Sequence, residues 1–198
     1  MTATQTGGSA VNATHPPAQG GDGQRPRTPA SRILLGGSEF AALVCGGVFA
    51  GALIAVLVVE LSMRDATGSA YTQVRQIELI GMPALATATL LPAVTATGIV
   101  TVSRRRAGGF DRLLPALALL LLTAVLVVTF AVNLPINADQ LDWRAVAPPP
   151  DWAEVRDRWQ LAHTARTVCA ALAFGCLAGA VGRRSIGHTH RLGRTRRQ

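Results

Sequence analysis

The chain has 198 residues, 49% of them hydrophobic and only 15% charged, with a positive mean hydropathy of +0.31. That balance is foreign to an ordinary soluble domain and usual for a small integral membrane protein of one domain. The net charge of +8 comes from arginine alone. Because the arginines flank apolar runs and do not interleave with aromatic residues, they exclude nucleic acid as the partner and point to membrane orientation. The abundance of Ala, Gly and Arg fits a GC-rich coding sequence and carries no message about fold.

Residues 1–32 are rich in Gly, Pro, Thr, Ala and Gln and lack apolar periodicity. They cannot bury enough surface to offset the entropy of ordering, so a disordered N-terminal tail is expected. It is too long and too polar for a signal peptide. Residues 33–184 hold four apolar runs, about 40–59, 79–102, 113–132 and 161–182. Each approaches or exceeds the roughly 20 residues that cross a bilayer as helix, and a helix satisfies its own backbone where water is absent. The expectation is an all-α, four-helix transmembrane bundle with helices at about 40–60, 79–102, 113–133 and 152–182. A soluble bundle would need a polar stripe on each helix, and Leu117 to Val128 offers only Thr123.

Arg25, Arg27 and Arg32 precede the first run; Arg104, Arg105, Arg106 and Arg112 bracket the second connection; six arginines follow the fourth run, Arg183 and Arg184 at its end and four more in a basic tail at 185–198 that also carries His188 and His190. The other two connections hold fewer arginines, Arg64 and Arg75 in the first and Arg144, Arg156 and Arg158 in the third, the latter diluted by Asp139, Asp142, Asp151, Glu154 and Asp157. The positive-inside rule puts both termini in the cytoplasm of a multi-pass protein of the cell membrane. Cys45, Cys169 and Cys176 fall inside apolar runs, where a free thiol acts as a small hydrophobe; no disulfide framework or zinc site is indicated. Gly47 with Gly51, and Gly175 with Gly179, form Gly-x-x-x-Gly pairs that would let helices approach closely.

The third connection carries Pro148, Pro149 and Pro150, then Asp151 and Glu154, a variant capping box that starts the last helix near Trp152, outside the membrane. Trp143, Trp152 and Trp159 suit an interfacial belt.

Polar residues gather at the outer helix ends. Glu60 closes the first helix, Gln76 and Glu78 open the second, Asn133 and Asn137 flank Pro135 at the end of the third, and Trp159, His163 and Arg166 share one stripe of the fourth. An ionisable group near hydrocarbon is costly and is a functional candidate by default. His163, with an unperturbed pKa of about 6.5, suits a general base. Arg166 suits an anion, an enolate or a carboxylate. Asn133 and Asn137 suit the orientation of a carbonyl, a phenol or an oxygen species, and Pro135 frees the carbonyl of Ala131. Trp159, Glu60, Glu78 and Gln76 complete the expected substrate-binding set. The plainer reading is that Arg166 pairs with Glu60 or Glu78 and the asparagines cap helix ends, merely closing the bundle mouth. A metal held by Glu60, Glu78 and His163 is chemically conceivable, but no ligand pair has diagnostic spacing, and no motif for nucleotide, haem or nucleophilic catalysis occurs.

These residues resemble a known family. Asn133-Leu-Pro135-Ile-Asn137, an acidic connection with tryptophans, then Trp159, His163 and Arg166 at intervals of four and three, is similar to the anthrone oxygenase-like family of small four-helix membrane proteins. The resemblance spans about Phe40 to Gly182. It implies an oxygenase that converts an anthrone to an anthraquinone with molecular oxygen as co-substrate and no identified cofactor. Asn133, Asn137, Trp159 and Arg166 match the family pattern, whereas His163 stands where that pattern has asparagine. The sequence therefore supports a membrane oxidoreductase or oxygenase acting on an apolar aromatic or quinone-like molecule drawn from membrane lipid. The alternative is a non-catalytic protein that binds a lipid or a partner protein. Transport is disfavoured, since no ionisable residue sits at mid-helix.

Overall fold

The computed structural model describes residues 28–195, with side chains to Arg183, together with Thr2. Most of the expected N-terminal tail and the side chains of the basic C-terminal tail, His188 and His190 included, lie outside the described residues. Helix α1 runs Pro29–Ser62, α2 Gly68–Ser103 and α3 Phe110–Val128; α3 continues through a five-residue π-helical turn, Thr129–Asn133, into α4, Leu134–Leu141; α5 begins at Trp152 and runs to Thr195. Among the described residues there is no strand, only an isolated bridge between Arg144 and Ala147.

Four helical stretches, Pro29–Ser62, Gly68–Ser103, Phe110–Leu141 and Trp152–Arg183, are long and apolar enough to cross a membrane. The chain is thus an all-α, multi-pass membrane protein. The helices outrun the apolar runs because backbone bonding continues wherever the ends are capped. The Thr28 side chain accepts from the Ser31 amide at 3.4 Å and Pro29 occupies the first turn, so α1 starts eleven residues before Phe40. Thr67 caps α2 in the same way.

The core is a seam of residues three, four or seven apart: Ala42, Phe49 and Leu53 on α1, Leu90, Ala93 and Ala96 on α2, Ala118, Leu122 and Val125 on α3, and Ala170, Ala173 and Leu177 on α5. The opposite faces are apolar and open, with Ile80 82%, Leu120 65% and Leu161 74% exposed. In water those faces would be a large liability; against lipid they are neutral. Alanine rather than paired glycine brings the helices close. A side chain at Gly47 would meet the Phe174 ring at 3.0 Å, but Gly51 and Gly175 face open space, so neither Gly-x-x-x-Gly works as a pair.

At one end of the bundle Arg104 binds Glu39 at 2.6 Å and Arg183 lies over Phe110. The other end holds nearly every remaining buried polar side chain. The three tryptophans turn inward there and do not form a lipid-facing belt. Trp159 is almost wholly buried, Trp143 is buried and donates to Asp139, and Trp152 packs against Tyr71. An indole N–H that finds a protein acceptor has no need of the interface.

Candidate functional site

The organising side chain is Arg75, on the first part of α2. Its Nε donates to Gln140 Oε1 at 3.1 Å, one terminal nitrogen binds Glu78 at 2.7 Å and lies 3.3 Å from Glu60, and the other donates to Asn137 Oδ1 at 2.9 Å. One guanidinium thereby ties α1, α2 and α4 together. Its flat face lies 3.9 Å from the centre of the Trp159 ring, while the His163 imidazole stacks on the same indole at 4.6 Å with 11° between the planes. The indole of Trp159 is thus in contact with both the Arg75 guanidinium and the His163 imidazole. Trp159 is held edgewise too, its N–H donating to Asn137 Oδ1 at 2.7 Å.

The turn before α4 follows from Pro135. Proline has no amide hydrogen to give Ala131, and its ring would press on that carbonyl. The chain widens to a π-turn, with the Leu134 amide donating to Thr129. This extra residue buries Asn133 against the Trp159 carbonyl at 3.4 Å and leaves Asn137 on the inner face; neither asparagine caps a helix end.

His163 is engaged at both nitrogens. Nε2 is 3.0 Å from the Leu53 carbonyl, which can only accept, and Nδ1 receives Arg166 Nε at 3.1 Å and a terminal Arg166 nitrogen at 2.8 Å, which can only donate. The tautomer is therefore fixed as Nε2–H, with the Nδ1 lone pair occupied. Arg166 also reaches Thr129 Oγ1 at 3.4 Å. No carboxylate among the described residues lies within ion-pair distance of Arg166; the expected pairing with Glu60 or Glu78 is made by Arg75 instead.

A cavity of about 220 Å³ extends from this cluster toward the middle of the span. Arg75, Glu78, Asn137, Trp159, His163 and Arg166 line its polar end, and Phe49, Leu53, Met82, Leu90, Leu126 and Phe130 are among the residues of its apolar length. Of the eight residues expected at the site, five line this space. Glu60 lies behind Arg75, fully buried, its carboxylate and its carbonyl both receiving Gln160. Asn133 is buried beside Trp159. Gln76 faces away and donates to the carbonyls of Gln140, Leu141 and Trp143, closing the end of α4. Glu60, Glu78 and His163 do not converge, and no group of three His, Cys, Asp or Glu side chains among the described residues is placed to hold a metal.

The sequence profile of the anthrone oxygenase family matches residues 72–176, more than half of the 198. The chain belongs to the anthrone oxygenase family. No curated protein and no solved structure matches it. The stretch shared with anthrone oxygenases begins beside Arg75 and takes in Glu78, Asn137, Trp159, His163 and Arg166, while the α1 contributions, Leu53 and Glu60, precede it. Sequence reasoning overlooked Arg75, Gln140, Tyr71 and Gln160. Arg75 had been counted with the loop charges, although Tyr71, Arg75 and Glu78 fall at intervals of four and three, the same stripe that marks Trp159, His163 and Arg166.

Proposed function

We propose that the protein is an oxygenase of the cell membrane, with both termini in the cytoplasm and its site at the outer end of the bundle, acting on a flat, apolar aromatic or quinone-like molecule. What supports this reading is that Glu78, Asn137, Trp159 and Arg166 share, with Arg75 and His163, the polar end of a cavity whose remaining length is mainly apolar, in a chain of the anthrone oxygenase family. Such a space suits a hydrocarbon ring system with one oxygen function.

In this reading Glu78 is the base, since the His163 lone pair is occupied by Arg166. The carboxylate takes a proton from an activated methylene, and Arg166 holds the enolate oxygen. Molecular oxygen then takes the electrons, combines at that carbon and regains the proton as a hydroperoxide. Loss of water leaves a carbonyl, so that a methylene and one oxygen molecule become a carbonyl and one water. Asn137 and Trp159 hold the ring system, and His163 positions Arg166.

The test is oxygen uptake by purified protein with a simple anthrone, corrected for autoxidation, beside Glu78→Gln and Arg166→Ala. Uptake that scales with wild-type protein and falls in both folded variants is expected. Uptake at the autoxidation rate from monodisperse wild-type protein removes the assignment.

A second reading is favoured by the completeness of the Arg75 network: a non-catalytic membrane protein that binds a lipid or a partner, with the cluster acting as a clasp. It predicts that Arg166→Ala loses function only in step with loss of folding, whereas the oxygenase reading allows a folded, inactive protein.

A further inference from the structure

We infer that the cavity takes a lipid-soluble weak acid and holds it as the oxyanion on Arg166. The inference rests on the cavity as the ligand site and does not need catalysis. Arg75 is neutralised by Glu60 and Glu78, but Arg166, half-buried on the same wall, has no carboxylate partner among the described residues. A guanidinium carries five N–H groups. Two are spent on His163 Nδ1 and one reaches Thr129 at 3.4 Å, which leaves donors on both terminal nitrogens for a ligand. A half-buried cation without a counter-ion is costly, and a bound anion removes that cost.

The rest of the cavity selects the body of the ligand and its route. Its length is hydrocarbon and aromatic, so a small inorganic anion would leave it empty. Residues 80–85 of α2 are all exposed, and Met82 and Pro83 among them also line the cavity. Pro83 has no amide hydrogen for Leu79, so α2 runs on through this stretch with one backbone hydrogen bond missing. Across the gap stands Phe130, 67% exposed. The opening is thus framed by apolar side chains at membrane depth, and a neutral acid can pass from lipid where its anion cannot. At the polar end the O–H bond breaks, the proton passes to water, and the oxyanion stays on Arg166. The other charged or titratable groups lining this end are Arg75 and Glu78 on α2 and His163 on α5, with Glu60 of α1 and Tyr71 of α2 in the layer behind them; the third crossing presents the neutral side chains of Thr129 and Asn137 to the cavity and Gln140 to Arg75.

The experiment uses 2-hydroxyanthraquinone, whose absorption moves to the red on ionisation, titrated in detergent micelles with and without the full-length protein. Wild-type protein is expected to lower the midpoint of bound dye by a pH unit or more relative to empty micelles, a tenfold change in the ionisation constant. Arg166→Gln should return it to the micelle value. Arg158→Gln, which removes an exposed charge from the same helix outside the cavity, should leave it lowered. Equal midpoints for wild type and Arg166→Gln, or for wild type and empty micelles, overturn the proposal. Should Arg166→Gln not fold, Ala86→Phe decides, because it fills the cavity and keeps Arg166: loss of the shift supports the proposal, and a surviving shift puts the dye elsewhere and ends it. A lowered midpoint without oxygen uptake sinks the oxygenase reading alone; oxygen uptake without a lowered midpoint sinks this one alone.

Discussion

Arg75 lies against one face of the Trp159 indole, 3.9 Å from the ring centre, and on its edges binds Glu60, Glu78, Asn137 and Gln140. The same residue is thus a cation–π partner, a double ion pair and a helix clasp. Removing it strands two carboxylates in a site of low exposure. Arg75→Ala should cost about 3–5 kcal/mol, the usual consequence of breaking a buried pair from one side. Thermal unfolding in detergent, followed by circular dichroism, checks this. Adding Glu60→Gln to Arg75→Ala should recover part of the loss, because the two residues share one interaction; additive losses would show that Glu60 and Arg75 are not coupled.

Gly68 opens α2 beneath Trp152. An added methyl would lie 2.8 Å from two indole atoms and 2.9 Å from the Pro148 ring, and neither ring is a flexible end. Gly68→Ala should therefore destabilise by about 1–3 kcal/mol, despite the helix propensity it gains. Trp152→Ala in the same chain should relieve most of the clash. A Gly68→Ala protein as stable as the wild type would mean that this contact is looser than its geometry.

The His163 tautomer is set by its partners, a carbonyl on one side and a guanidinium on the other. Nitrogen NMR of histidine-labelled protein near neutral pH should find one imidazole with its hydrogen on Nε2. His163→Leu leaves the Leu53 carbonyl and Arg166 without this partner and should cost about 1–3 kcal/mol. A His163 signal with hydrogen on Nδ1 would contradict the hydrogen bond from Arg166.

Gln76 was expected to touch substrate, but it closes the end of α4 through three carbonyls. Gln76→Leu should lower stability by about 1 kcal/mol, the worth of an ordinary net hydrogen bond, and leave dye binding and any oxygen uptake per folded molecule unchanged. Asn137→Leu is the contrasting variant. It removes the acceptor of both Arg75 and Trp159 at the cavity wall, so both stability and binding should fall. Equal effects of the two variants on binding would return Gln76 to the site.

The four crossings were legible because hydrocarbon demands about 20 apolar residues in a row, a constraint that leaves a mark no tertiary contact can erase. The place of the buried polar cluster was legible for a related reason: polar groups such as Asn137 and His163 are rare in such helices and stand out at their ends. Partnership was not. Arg75 and Arg166 look alike as letters, and only the approach of α1 to α2 decides that Glu60 meets the former. The π-turn was equally hidden. Pro135 announces a lost hydrogen bond, but whether the chain bends, breaks or widens depends on what α5 presents to Asn133. Gly51 and Gly175 make the converse point, since a motif that permits close approach does not compel it.

The run of exposed residues at 80–85 of α2, two of which line the cavity, makes the bilayer a reagent in its own right. A solute that prefers hydrocarbon meets these side chains at its concentration in oil and not in water, so a weak intrinsic fit would still fill the cavity of the proposal. Selectivity is then shared between the protein, which sorts molecules by charge and shape, and the surrounding membrane, which has already sorted them by solubility.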